Sequence, residues 1–243
     1  MYDKYSIVVK NHSGSVQNYH LLAEPPKTPY SNVWLRSSGV FSPNGTARFS
    51  FGAEVFAVCG TTAKQEPLGH NVKVDTSDFS KVTLATGSTH GTVLYMEVIK
   101  DGAGFVGPQG KEATHGGAFG IKTGMYDADK YRHVWCGLGK ANSEGEVVPV
   151  ATFEVKPGQR YTIQPRMRFW ITVGTHAQGT VIDTTRFEES KEINFEKGDG
   201  DIATLEQKSD GSFTDPVFTR SNAVTDGEME SVGNTAEAVN PES

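Results

Sequence analysis

Three Thr-His pairs are the residues whose type and spacing could do chemistry. They lie in Ser88-Thr89-His90-Gly91-Thr92-Val93-Leu94, in Ala113-Thr114-His115-Gly116-Gly117, and in Gly174-Thr175-His176 followed by Gly179-Thr180-Val181-Ile182. His90 and His176 share one pattern: Thr-His, then Gly-Thr-Val and Leu or Ile, with two extra residues in the second copy. A neutral imidazole can act as general acid or base, and three together can hold a divalent ion. His90, His115 and His176 become candidate catalytic residues if the fold brings these turns to one end, with Asp183 as the group that orients one of them. The competing reading is ordinary turn-to-strand chemistry. Spacings of 25 and 61 residues show no regular repeat.

A second constellation is aromatic. Over residues 160–173 the odd positions are apolar (Tyr161, Ile163, Met167, Phe169, Ile171, Val173) and the even ones mostly polar. Arg168 and Trp170 therefore share the polar face, where an arginine beside an indole can stack a sugar ring or a flat ligand. Alternation likewise puts Tyr131, His133 and Trp135 on one face. Tyr131 and His133 join the ligand-binding candidates, against the alternative of a buried aromatic cluster.

Other chemistry finds no motif. No HxH, HExxH or facial-triad pattern is present, so no metal site is expected. Asp127 and Asp129 read as a solvated turn rather than a calcium loop. There is no GxSxG and no GxGxxG or P-loop, so no nucleotide cofactor, or any other cofactor, is expected. Asp183, Glu154 and Glu188 are available carboxylates, but spacing pairs none of them for glycoside chemistry. Cys59 and Cys136 sit in apolar segments and read first as buried free thiols, with a disulfide as the alternative.

The elements that must position these residues are strands. Alternation over 45–60 puts Phe49, Phe51, Ala53, Val55, Ala57 and Cys59 on one face. Residues 146–174 read as a long hairpin turning at Lys156-Pro157-Gly158-Gln159, and 204–219 as a last hairpin around Asp210-Gly211. Residues 102–124 include eight glycines in 23 residues and read as a long loop. Residues 188–198 suggest a turn or two of helix. The expected fold is all-β: an antiparallel β-sandwich or jelly roll over 1–220 as a single domain, followed by a disordered acidic tail over 221–243.

Charge narrows the partners. The net charge is −6, and the five acids of residues 221–243 supply most of it. With no basic block, neither nucleic acid nor an anionic membrane is an expected partner. No leader peptide and no spanning apolar run are visible, which points to the cytoplasm. Three functions remain. The first is a binding protein for a carbohydrate or another small molecule, with its site on loops at one end of the sandwich. The second is a cofactor-free isomerase, cyclase or hydrolase working through a histidine. The third is a structural protein that self-associates into homo-oligomers.

Overall fold

The computed structural model describes residues 4–23, 30–62, 72–99, 102–108, 116–142, 144–183 and 189–221. The expected all-β fold is observed, with five sheets among the described residues. Sheet I has the order β19 (Val217–Thr219), β18 (Ile202–Gln207), β1 (Lys4–Asn11), β5 (Thr46–Gly52). Sheet II runs β17 (Ser190–Asn194), β15 (Arg168–Val173), β2 (Gln17–Ala23), β4 (Leu35–Val40). Sheet III is β13 (Val147–Glu154), β12 (Val134–Ala141), β6 (Phe56–Thr61), β8 (Asp75–Lys81). Sheet IV is β10 (Gly102–Pro108), β9 (Val93–Ile99), β11 (Phe119–Thr123), β14 (Arg160–Ile163). Sheet V is the short trio β3 (Tyr30–Asn32), β16 (Thr180–Asp183), β7 (Val72–Lys73). Neighbours are antiparallel except for β1 with β18 and β9 with β11.

Sheet I packs on sheet II through rings. Phe51 meets Trp34 at 4.8 Å and Phe169 at 4.9 Å between centroids. Sheet III packs on sheet IV, with Phe153 and Tyr161 at 5.2 Å. The inward residues of all four sheets form one buried cluster. Both cysteines are free and belong to it.

The alternation over 45–60 keeps its side chains in that cluster, but the strand is broken. Residues 53–55 carry the chain from β5 in sheet I to β6 in sheet III. Lys140, 2% exposed, reaches this crossing from β12. Its Nζ donates to the Gly52 carbonyl at 3.1 Å and the Glu54 carbonyl at 3.3 Å. The ladder carbonyls lost at the break are thereby satisfied inside the protein.

Sheet V joins the two halves from outside. Val181 and Ile182 are adjacent on β16, so they point to opposite faces. Val181 packs with Val74 and Trp135 of the sheet III side. Ile182 packs with Leu22 and Val33, and Trp170 of sheet II covers this cluster. Asn32 ties the junction. Its Nδ2 donates to the Gly179 carbonyl at 3.2 Å, and its Oδ1 accepts from the Thr152 amide and hydroxyl, both at 2.9 Å.

Three expectations need correction. Residues 102–108 and 119–123 are strands rather than loop, because Gly102–Phe105 pairs with Met96–Ile99 and Gly120–Thr123 with Val93–Met96, glycines notwithstanding. The arms of the expected 146–174 hairpin do not pair with each other. β13 pairs with β12, β14 with β11, and β15 with β2 and β17. Residues 190–194 form a strand rather than helix, since Ile193 and Phe195 bury at period two against the aromatic core. The hairpin around Asp210-Gly211 stands as expected. His115 and residues 222–243, including nearly all of the expected tail, lie outside the described residues.

Burial pushes the Lys140 ammonium down from 10.5 to about 8. The unfolded chain then binds more protons than the folded one between those values. Stability is therefore fully present above 10.5 and lost as pH falls through about 8. Urea unfolding across that range should show a rise on the order of 3 kcal/mol toward high pH that Lys140→Met lacks. Parallel rises in both proteins would contradict the assignment.

Candidate functional site

The Thr-His turns feed different sheets. His90 is exposed, on the turn before β9 of sheet IV. His176 is half-buried, on the loop between β15 and β16. The imidazole beside His176 is one that the sequence reading missed, His20, with ring centroids 5.8 Å apart. His20 sits on β2 opposite Thr172 and Arg36, on the side away from Tyr19 and Leu21. It is 1% exposed, and its Nδ1 lacks a hydrogen-bond partner. Desolvation, then the charges of His176 and Arg36, push its pKa down from 6.5 to about 4, opposed by a hydrogen bond to the His176 backbone. Asp183 closes β16 opposite Tyr30. Among the described residues no three of His, Cys, Asp and Glu are gathered as a metal cluster.

Tyr131, His133 and Trp135 do not share a face. His133 adopts a left-handed backbone, φ 59°, just before β12 begins, which breaks the alternation. Tyr131 packs against the main cluster, while Trp135 packs with Val74 and Val181. The His133 Nδ1 lies 3.5 Å from the Glu154 carboxylate. Asp127 caps its own turn by accepting from the amides of Asp129 and Lys130.

Arg168 and Trp170 are neighbours, as the alternation implies: the guanidinium is 5.4 Å from the indole. The indole is half-buried beneath sheet V. Arg168 binds Glu192 of β17 through two hydrogen bonds, each 2.9 Å. Those bonds hold the Glu192 carboxyl below the usual carboxylate range.

Glu192 leads to a groove of about 430 Å³ on the flank of the packed sheets I and II. The groove lies between β17 and β19, the edge strands of sheets II and I. Lys191, Glu192 and Asn194 line one side, Asp215 and Phe218 the other, and the turn Lys197-Gly198-Asp199 one end. The turn depends on a bare glycine: a Cβ on Gly198 would lie 2.4 Å from the Phe218 ring. Each carboxylate has a cation. Lys191 pairs with Asp215, Arg220 with Asp199, and Arg168 with Glu192.

A family model described as RhiA matches residues 2–214. The chain belongs to the RhiA family. No curated protein matches it, and no solved structure does. The RhiA match covers β1 through β18 and stops just before Asp215, so the β19 wall of the groove lies beyond the matched span. No helix among the described residues is long and apolar enough to cross a membrane.

Two signals could have pointed to what was missed in this RhiA chain. Leu22 is apolar on the face His20 shares, which marks that face as covered. Asn194 to Asp201 combines an amide, acids and two glycines in one turn, a composition suited to a polar rim.

The depressed His20 pKa sets an acid limit. The stability it contributes is fully present above 6.5 and is lost as pH falls through about 4. His20→Leu should remove on the order of 3 kcal/mol of the pH dependence in that range, measured by urea unfolding against wild type. Identical acid limbs for the two proteins would contradict the buried neutral imidazole.

Proposed function

We propose that this RhiA-family chain is a binding protein for a neutral carbohydrate, and that the groove between β17 and β19 is its site. The observation that carries the reading is the pairing of every groove carboxylate with a cation beside the Phe218 ring. The three ion pairs cancel, and Lys197 is the one further cation among the described lining residues, a weaker pull on an anion such as phosphate than an unpaired basic cluster gives. The pairs do leave carboxylate oxygens, ammonium groups and the Asn194 amide as acceptors and donors for hydroxyls. An aromatic ring among such groups suits the C–H face of a sugar. The half-buried Trp170 acts from behind, holding Arg168 where it fixes Glu192.

An array of neutral, acidic and amino oligosaccharides, followed by calorimetry on the hits, tests this. Neutral glycans should bind. Asn194→Ala and Asp215→Ala, both on the groove surface, should each weaken binding about tenfold, the loss of roughly one hydrogen bond to a charged or amide group. His90→Ala should leave affinity unchanged. Binding that ignores both groove substitutions, or no binding to any neutral glycan, would contradict the proposal.

A further inference from the structure

Cys59 on β6 and Cys136 on β12 are direct partners in an antiparallel ladder. Opposite residues in such a ladder project to the same side, with Cα atoms about 4.5–5.5 Å apart. A disulfide spans Cα separations of about 4.4–6.8 Å, so the backbone already has the required spacing. Both side chains enter the same buried cluster, Cys59 at 2% and Cys136 at 0% exposure. We propose that Cys59 and Cys136 form an intramolecular disulfide when the chain folds in the presence of a disulfide oxidant such as oxidised glutathione.

The step is two thiol–disulfide exchanges. One cysteine thiolate attacks the oxidant's disulfide and releases one thiolate, leaving a mixed disulfide on the protein. The second cysteine thiolate attacks that protein sulfur and releases the other half of the oxidant. The cysteine pair loses two electrons, the oxidant's disulfide gains them, and the two cysteine protons end on the released thiols.

The bond has to form while β6 and β12 are coming together. In the closed protein no oxidant reaches either sulfur. Burial also pushes the Cys59 thiol up to about 12 and raises Cys136 well above its usual value, so attacking thiolate is scarce. The same burial protects the bond from reductants once it is made. The crosslink closes the long segment between β6 and β12, which restricts the unfolded chain.

The full chain is denatured with reductant, freed of reductant, and refolded in a mixture of oxidised and reduced glutathione. Cysteines are then alkylated under denaturing conditions and read by mass spectrometry. The expected product is a monomer lacking two hydrogens and any alkylated cysteine, melting about 10 °C above the reduced protein. In Cys59→Ala that species should disappear. Folded reduced protein placed in the same mixture should keep its two thiols far longer than the refolding chain does. A refolded monomer with two alkylatable thiols, or one carrying only glutathione adducts, would overturn the proposal. If refolding fails, chain synthesised in an oxidising compartment is alkylated in the same way, and two free thiols there overturn it equally.

Discussion

Two adjacent residues on one short strand, Val181 and Ile182, tie the two halves of this protein together outside their shared core. Because neighbouring strand residues face opposite ways, one apolar side chain is committed to sheet III and the next to sheet II. Each such burial contributes roughly 1.5–3 kcal/mol. Asn32 makes the placement specific, since its one amide group serves β3, β13 and the entry to β16 at once. A slip of one residue along β16 would exchange the two faces and leave Asn32 without its partners. Much follows from this. The outer face of sheet II is covered, with Leu22 buried and Trp170 half-buried against Ile182, and His20 buried beside the loop that carries His176. Arg168 lies at the rim of that face and turns toward Glu192, and the groove begins there.

The groove occupies a place that β proteins must protect in any case. Among the described residues β17 and β19 are edge strands, each paired on one side only. Charged side chains along an edge discourage pairing with another chain. Lys191, Glu192, Asp199 and Asp215 do this here. They also supply the polar rim of the proposed sugar site, so one set of residues limits strand addition and offers hydrogen bonds.

Several local features were legible in the sequence because they depend on period two and turn chemistry alone. The Phe49 to Cys59 face, the Asp210-Gly211 hairpin and the inward side of β15 are of this kind. Strand pairing was not legible. β13 and β14 are close in sequence around a good turn, yet they belong to different sheets, β13 pairing with β12 and β14 with β11. The crossing at residues 53–55 was invisible because the alternation continues straight through it, and Lys140, which donates to the carbonyls freed there, lies far along the chain. His20 escaped notice for a similar reason. A histidine on an outward face looks solvated until the loop from β15 to β16 brings His176 beside it. Lys191 to Gly198 lie in a segment read as helix and Asp215 to Phe218 in a separate hairpin, so their shared edge could not be seen. The Thr-His repeats were conspicuous, but His90 and His176 feed strands of different sheets, and sequence likeness carries no information about that.

The central claim is that ligand recognition resides on the β17–β19 flank, behind which sheet V fixes Trp170 and Arg168. Backbone amide chemical shifts of the labelled full chain, recorded while a neutral oligosaccharide is titrated, test it most directly. Recognition on this flank predicts shifts concentrated at residues 191–199 and 215–218, with smaller ones at Arg168 and Trp170. Shifts centred instead on the turns holding His90 or His133, with the flank unmoved, would contradict it.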